Sequence, residues 1–279
     1  MDEILRSLAP GSRVLDLGAL TGSFGTDCCP GTLVVRVDLE RPAPGTCEGF
    51  VQADAARLPF PDHSFDAIIS NHSLEHIHGL GAALKEMGRV VRPEGSLYVA
   101  VPDGCSFADR LFRWVYREEA GHVNLFCSAE KLAEGITKAT RLELRSVRTL
   151  NCSFEYLNRY YFGSRAPWQL WVAGNGKRWS IVLLSYLTRL FDRAFRTRAS
   201  VYGWALYFGD IREKIAQETW SNVCAGCGSG HPAAWLVQIG SVRRHLRVFR
   251  SYRCPRCGSW NFFTADDQAA HVAGCQKTA

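Results

Sequence analysis

One turn constrains this chain more than any other stretch: Arg13-Val14-Leu15-Asp16-Leu17-Gly18-Ala19-Leu20-Thr21-Gly22-Ser23-Phe24-Gly25. An apolar β-type run ends in an acid, then turns on glycines into a helix start. Glycine is needed where backbone takes positive φ or approaches a ligand with no side chain in between. A helix N-terminus behind such a turn offers free N–H groups and a positive dipole end to a carboxylate or phosphate. Asp16 adds a fixed negative charge at the strand end, which suits an amino group better than a phosphate. A single turn of this kind is a weak signal, and the segments after it decide its meaning.

Leu33-Val34-Val35-Arg36-Val37-Asp38 is a second buried-type strand ending in an acid. It follows the first by roughly twenty residues, where dinucleotide-type folds hold ribose hydroxyls. Then come Gln52-Ala53-Asp54-Ala55-Ala56-Arg57-Leu58-Pro59-Phe60 and Ser64-Phe65-Asp66-Ala67-Ile68-Ile69-Ser70-Asn71-His72-Ser73-Leu74-Glu75-His76, and finally Val90 to Pro102. Strands are expected at Arg13–Leu17, Leu33–Asp38, Phe50–Ala53, Phe65–Ser70 and Ser96–Val101, with a helix from Leu74 to Val91. Such alternation argues for a doubly wound parallel α/β sheet. The crossover from Asp38 to Phe50 holds two prolines and two glycines, so a loop or single turn is expected there in place of a helix.

This ordered set resembles the class I S-adenosylmethionine-dependent methyltransferases, the group with a DxGxxxG turn, a DAxxLPF loop and an LEH segment, over residues 12 to 150. The resemblance implies a Rossmann-like, mostly parallel sheet closed by an antiparallel last strand, assigned to Val201–Phe208. It places Asp16 and the Gly18–Gly22 turn near the methionine end of the cofactor, with Asp38 on the ribose hydroxyls. Asp54 and the backbone at Ala55 take the adenine edge, and Ser70 and Asn71 approach the methionyl amine. The nicotinamide dinucleotide fingerprint, the commonest rival, wants a third glycine at a set offset. Leu20 stands where many relatives carry glycine, and its bulk could narrow the cofactor pocket.

Methyl transfer from a sulfonium needs mainly alignment of nucleophile and methyl group. A base is needed only where the acceptor must lose a proton. The candidates are His122, in a Gly-His-Val-Asn segment that relatives often place near the acceptor, then His72 directly after the fourth strand, then His76 in the LEH segment. The plainer alternative for each is a packing or helix-cap histidine.

Residues 216–279 carry a second signal, Cys224-Ala225-Gly226-Cys227-Gly228 and Cys254-Pro255-Arg256-Cys257-Gly258. Two such knuckles supply four thiolates, the ligand set of a closed structural zinc site. β-type runs at Ala234–Ile239, Leu246–Tyr252 and Trp260–Phe263 make the module resemble a zinc ribbon. A rival set, Cys254, Cys257, His271 and Cys275, leaves Cys224 and Cys227 unexplained. Cys28, Cys29, Cys47, Cys105, Cys127 and Cys152 have no ligand spacing and are expected as free thiols.

The expected organisation is a methyltransferase domain over 1–215 and a zinc-ribbon-like domain over 216–279. An aromatic and basic insertion at 154–200 is expected near the substrate face, including an amphipathic helix from Trp179 to Phe195. That helix suits a substrate lid or a peripheral anionic membrane contact. Eleven cysteines without a signal-peptide pattern at the N-terminus point to a reducing, cytoplasmic setting. The net charge of +6 permits anionic partners without requiring them. Arg243, Arg244, Arg247, Arg250, Arg253 and Arg256 make nucleic acid a further candidate partner, with a solvated basic face as the plainer alternative. The resemblance implies methyl transfer to O, C or N of a small molecule, sugar or lipid-linked compound. An RNA-directed enzyme whose ribbon docks RNA and a non-catalytic binding protein on the same fold stay open.

Overall fold

The computed structural model describes residues 1–43, 45, 49–116, 121–158, 168, 170, 178–213, 222–245 and 249–265. Two compact units emerge. The first comprises Met1–Asp103, Gly121–Arg148 and Trp204–Ala216; the second comprises Gly104–Ala120, Thr149–Gly203 and Gln217–Ala279. This differs from the expected division at 215/216: the segment expected as an insertion over the substrate face clusters with the cysteine module.

Seven strands form one sheet in the order β3-β2-β1-β4-β5-β7-β6. They are β1 (Arg13–Leu17), β2 (Leu33–Asp38), β3 (Phe50–Gln52), β4 (Phe65–Asn71), β5 (Val91–Pro102), β6 (Leu144–Asn151) and β7 (Val201–Gly209), with a short helix α1 (Asp2–Ser7) ahead of β1. β1 pairs in parallel with both β2 and β4, and one strand of the sheet is antiparallel. The apolar runs of β1, β4 and β5 are buried on both faces, as central strands of a covered parallel sheet must be. Leu15, Leu17, Ile68, Leu97 and Val99 pack with Met87 of α2 (Leu80–Val90) and Leu132 and Ile136 of α4 (Ala129–Thr140). Each such burial contributes roughly 1.5–3 kcal/mol. Ser128 caps α4, its hydroxyl accepting from the Lys131 amide at 3.2 Å. Among the described residues between β2 and β3 no helix forms, in line with the prolines and glycines there.

The expected continuous helix Leu74–Val91 is two pieces: a 3-10 turn at Leu74–His76 and α2 from Leu80. Gly79 takes φ +72° between them. The Asn124 side-chain amide donates to the Leu74 and Ile77 carbonyls at 2.8 and 2.7 Å, so the turn is satisfied from outside the helix. β5 begins at Val91, five residues earlier than expected, with Val91 opposite Phe65 across an irregularity in the ladder.

In the second unit, α3 (Phe107–Tyr116) joins Phe154 and Leu157 in an apolar cluster with Ile181 and Val182 of α5 (Arg178–Phe195). Cys28, Cys29 and Cys152 are free as expected, whereas Cys105 and Cys127 are not free thiols, which corrects that expectation for these two. The C-terminal module has β8 (Asn222–Val223), β9 (Gly230–His231), α6 (Ala233–Gln238), β10 (Val242–His245), β11 (Phe249–Arg253) and β12 (Trp260–Phe262). Ala234–Ile239 is thus mostly helix in place of the expected strand. Pro232 presets its start, Ala and Leu favour helix, and Ala233 and Leu236 bury one face at i, i+3. Cys47, Arg247, His271 and Cys275 lie outside the described residues, and with them the rival ligand set.

Candidate active site and metal centres

The C-terminal ends of β1, β2 and β4 bring the sequence-derived acids and the glycine turn to one edge of the sheet. Asp16 is fully buried. Its Oδ2 accepts from the Ser23 amide at 2.9 Å and lies 3.7 Å from Arg36 Nε, while its Oδ1 is buried with no partner. Burial pushes its pKa up, and the Ser23 hydrogen bonds and Arg36 pull it back. A buried orphan acceptor beside a glycine turn fits the ammonium of an amino-acid ligand. Gly18 sits at φ +69°, where a Cβ would collide with Ser73; at Gly22, φ +108°, a Cβ would lie 2.7 Å from Arg36 Nε. Both turn glycines are therefore required by the backbone and by close packing.

Asp38 closes the same turn: Oδ2 accepts from the Leu20 amide at 2.9 Å and Oδ1 from the Glu40 amide at 3.1 Å. Each oxygen keeps a lone pair for a further donor. Leu20 takes φ +37° and is 41% exposed. Asp54 accepts from the Ala56 amide at 2.9 Å, shaping the turn that carries Ala55. Ser70 is buried, and its hydroxyl pairs at 2.6 Å with Ser73 Oγ, which donates to the Leu17 carbonyl at 2.9 Å. Its side chain thus serves the β1–β4 junction, and Asn71 stays half-buried at the strand end.

Three supporting residues escaped the sequence reading. Arg36 donates to the Phe24 carbonyl at 3.1 Å and neutralises Asp16; its one signal is a charge inside an apolar strand. Arg89 donates to the Phe60 and Leu58 carbonyls at 2.7 and 3.0 Å, and Glu86 accepts from the Leu58 amide at 2.8 Å. This i, i+3 pair on α2 pins the Asp54–Phe60 loop.

The histidines gather after β4. His72, at φ +54°, has Nδ1 3.7 Å from Glu75 Oε1. His76 and His122 meet edge to face with ring centroids 5.0 Å apart. The Glu75 carbonyl accepts from the Val123 and Asn124 amides at 2.8 and 3.0 Å, which seats the Gly-His-Val-Asn segment against the LEH turn.

The four module cysteines converge, their sulfurs all within 4.8 Å of one another. Cys224 and Cys257 sulfurs lie 3.6 Å apart, and Cys227 and Cys254 3.7 Å. The two knuckles are built alike: Gly228 and Gly258 amides donate to the Cys224 and Cys254 carbonyls at 2.9 and 2.8 Å. Both glycines sit at φ near +70°. Burial pushes the Cys257 thiol up, yet hydrogen bonds with Ser259 and the neighbouring sulfurs bring it down to about 6. Four convergent sulfurs with amide donors around them fit a tetrahedral zinc ion.

Strand order, an acid-tipped glycine turn and acids on the next strands define the class I S-adenosylmethionine-dependent methyltransferase fold. Residues 15–99 match the methyltransferase domain family model. Among curated proteins, demethylmenaquinone methyltransferase of Beutenbergia cavernae is 43% identical over 100 residues, covering 33% of this chain and 41% of the relative. Malonyl-[acyl-carrier protein] O-methyltransferase of Methylococcus capsulatus is 32% identical over 156 residues, covering 50% of this chain and 56% of the relative. The chain thus spans about half the length of these relatives. Among solved structures, the YcgJ protein of Bacillus subtilis aligns at a TM-score of 0.51 and 19% identity, over 75% of this chain and 95% of that one. That likeness is one of fold.

Proposed function

We propose that this chain transfers a methyl group from S-adenosylmethionine to a small, apolar or lipid-linked acceptor. The observation that carries the reading is the buried, unpartnered Asp16 Oδ1 beside Gly18, with Asp38 at the neighbouring strand end. S-adenosylmethionine supplies an already activated methyl group, so the protein's work is binding, alignment and exclusion of water. In this reading Asp16 holds the ammonium, Asp38 the ribose hydroxyls, and Asp54 with Ala55 the adenine edge. Glu86 and Arg89 keep that last loop in place.

For an acceptor that must lose a proton, His72 is the candidate base: it follows β4 directly, and its Nδ1 lies 3.7 Å from Glu75 Oε1. His76 and His122 border the same space. Two observations favour an apolar acceptor. The partly matched relatives include enzymes named for demethylmenaquinone and for a malonyl carrier protein. In the second unit, α5 exposes Trp179, Leu187, Phe191 and Phe195 beside Arg178, Arg193 and Arg196, a face suited to an anionic lipid surface. No described helix is long and apolar enough to cross a membrane. The cysteine module would hold one structural zinc, which supplies folding energy and no chemistry.

The test incubates the protein with methyl-labelled S-adenosylmethionine and, separately, cell lipid extract, polar small molecules and RNA. Label in the lipid or small-molecule fraction supports the reading. Label in RNA transfers it to an RNA-directed enzyme. Cofactor binding with no transfer to any fraction leaves a non-catalytic binding protein.

A further inference from the structure

Glu75, His76 and His122 each offer one ligand atom, and these atoms lie within 4.8 Å of one another, immediately after β4. Three atoms bound to one ion at about 2.1 Å in tetrahedral or octahedral geometry lie about 3.0–3.4 Å apart, so closing on an ion asks each side chain to move by up to about 1 Å. Three features show a built cluster. Glu75 is 1% exposed, and its Oε2 is buried with no hydrogen-bond partner. Leaving a buried carboxylate oxygen unpaired is costly unless a cation or donor completes it.

His76 Nδ1 lies 3.0 Å from the Gly121 carbonyl oxygen. A carbonyl only accepts, so Nδ1 carries the proton and Nε2 presents a lone pair. This is how metal-ligating imidazoles are usually oriented, by a hydrogen bond from the second ring nitrogen. Gly121 makes that contact possible: it takes φ +60°, and a Cβ there would press to 3.3 Å from the same nitrogen.

The segment carrying His122 is anchored on both sides of the ligand. The Val123 and Asn124 amides donate to the Glu75 carbonyl, and the Asn124 side chain donates to the Leu74 and Ile77 carbonyls. His122 is therefore held against the turn that carries Glu75 and His76, although it stands far along the chain. His76 is exposed and His122 half-buried, so one side of the cluster opens to solvent.

We propose that Glu75, His76 and His122 bind a divalent transition-metal ion through one carboxylate oxygen and two imidazole nitrogens, with positions left open toward solvent. Such a mixed oxygen and nitrogen set suits zinc, iron or manganese, and it differs in kind from the four-thiolate centre of the second unit. Its role rests on the methyl-transfer reading: an acceptor hydroxyl on the open side would lose its proton more easily. The binding itself does not rest on that reading.

The test dialyses the full chain against micromolar zinc and counts bound metal by mass spectrometry. One equivalent is expected to separate the wild type from His122→Ala and from Glu75→Gln, with affinity falling at least tenfold in each. Cys254→Ser is expected to lose a different equivalent and keep this one. Cobalt loaded at the proposed site should give ligand-field bands without thiolate charge transfer, and those bands should vanish in His122→Ala. Glu75 is buried and its variant could misfold; His122 is half-buried, so its variant keeps the test alive, with thermal melting as the folding check. Equal metal content in wild type and folded His122→Ala overturns the proposal. Calorimetry with S-adenosylhomocysteine on the same samples reports on the cofactor site, so loss of one reading is separable from loss of the other.

Discussion

In the first unit, Leu15, Leu17, Ile68, Leu97 and Val99 close a continuous apolar layer between sheet and helices. In the C-terminal part of the second, the buried cysteines Cys224 and Cys254 cluster, among the described residues, with Ala233, Leu236, Tyr252 and Phe263, and with Val242 half-buried against them. The first has enough apolar surface to fold by burial. The second has far less to bury, and in the zinc reading proposed above its fold would draw on its thiols meeting a metal. The contrast explains where polar groups are tolerated: as a few paired charges inside a large core, or as the ligand set that replaces a core.

The largest expected effect breaks the module. Structural zinc contributes about 10–16 kcal/mol of apparent binding free energy in small modules, so Cys254→Ser or a strong chelator should unfold the C-terminal part. Zinc content and calorimetric melting read the loss, while the first unit should still bind S-adenosylhomocysteine. A module that keeps its melting transition without zinc would remove the distinction drawn here.

The next effect concerns the first unit's own buried charges. Arg148 Nη2 donates to Glu3 Oε1 at 2.6 Å, and both side chains are at most 10% exposed. Arg148→Met leaves Glu3 without its guanidinium and should cost about 3–5 kcal/mol by thermal or urea denaturation. Burial pushes Glu3 up, but the terminal amine and Arg148 outweigh it and bring it from 4.5 to about 2. A depressed carboxylate stabilises the fold above its unfolded pKa and loses that contribution as pH falls through the folded value. The stability gap between wild type and Arg148→Met should therefore be full above pH 4.5 and shrink between 4.5 and 2. A gap independent of pH would show that Arg148 acts through packing alone.

The smallest effect sharpens the second unit. Tyr186 of α5 stacks on Phe262 of β12 with centroids 4.6 Å apart and planes at 29°. Tyr186→Leu keeps most of the apolar area and should cost about 1 kcal/mol. Its effect should fall on the transition that zinc removal abolishes.

The bounds of β1 and β2 were legible because apolar runs ended by acids and glycines are local signals. So was α5, whose apolar spacing the sequence carries. The break between His76 and Leu80 was not, because its carbonyls are satisfied by Asn124, far along the chain. Arg36 was hidden because its partner Asp16 stands on the neighbouring strand, and Arg89 because its acceptors are carbonyls of a distant loop. Local pattern reads elements; it does not read which segments share a core, and so the expected boundary at 215/216 differs from the two units found. The acids and glycines expected at the candidate site come to one edge of the sheet, and the hydroxyl of Ser70, expected near the methionyl amine, is hydrogen-bonded to Ser73.

The central claim is that the edge formed by Asp16, Gly18 and Asp38 binds S-adenosylmethionine. Calorimetric titration of the zinc-loaded protein with S-adenosylmethionine and S-adenosylhomocysteine tests it most directly. One site per chain with micromolar affinity for both, weakened at least tenfold in Asp38→Ala, is the predicted result. Folded protein that binds neither, or binds both equally well without the Asp38 carboxylate, would contradict it.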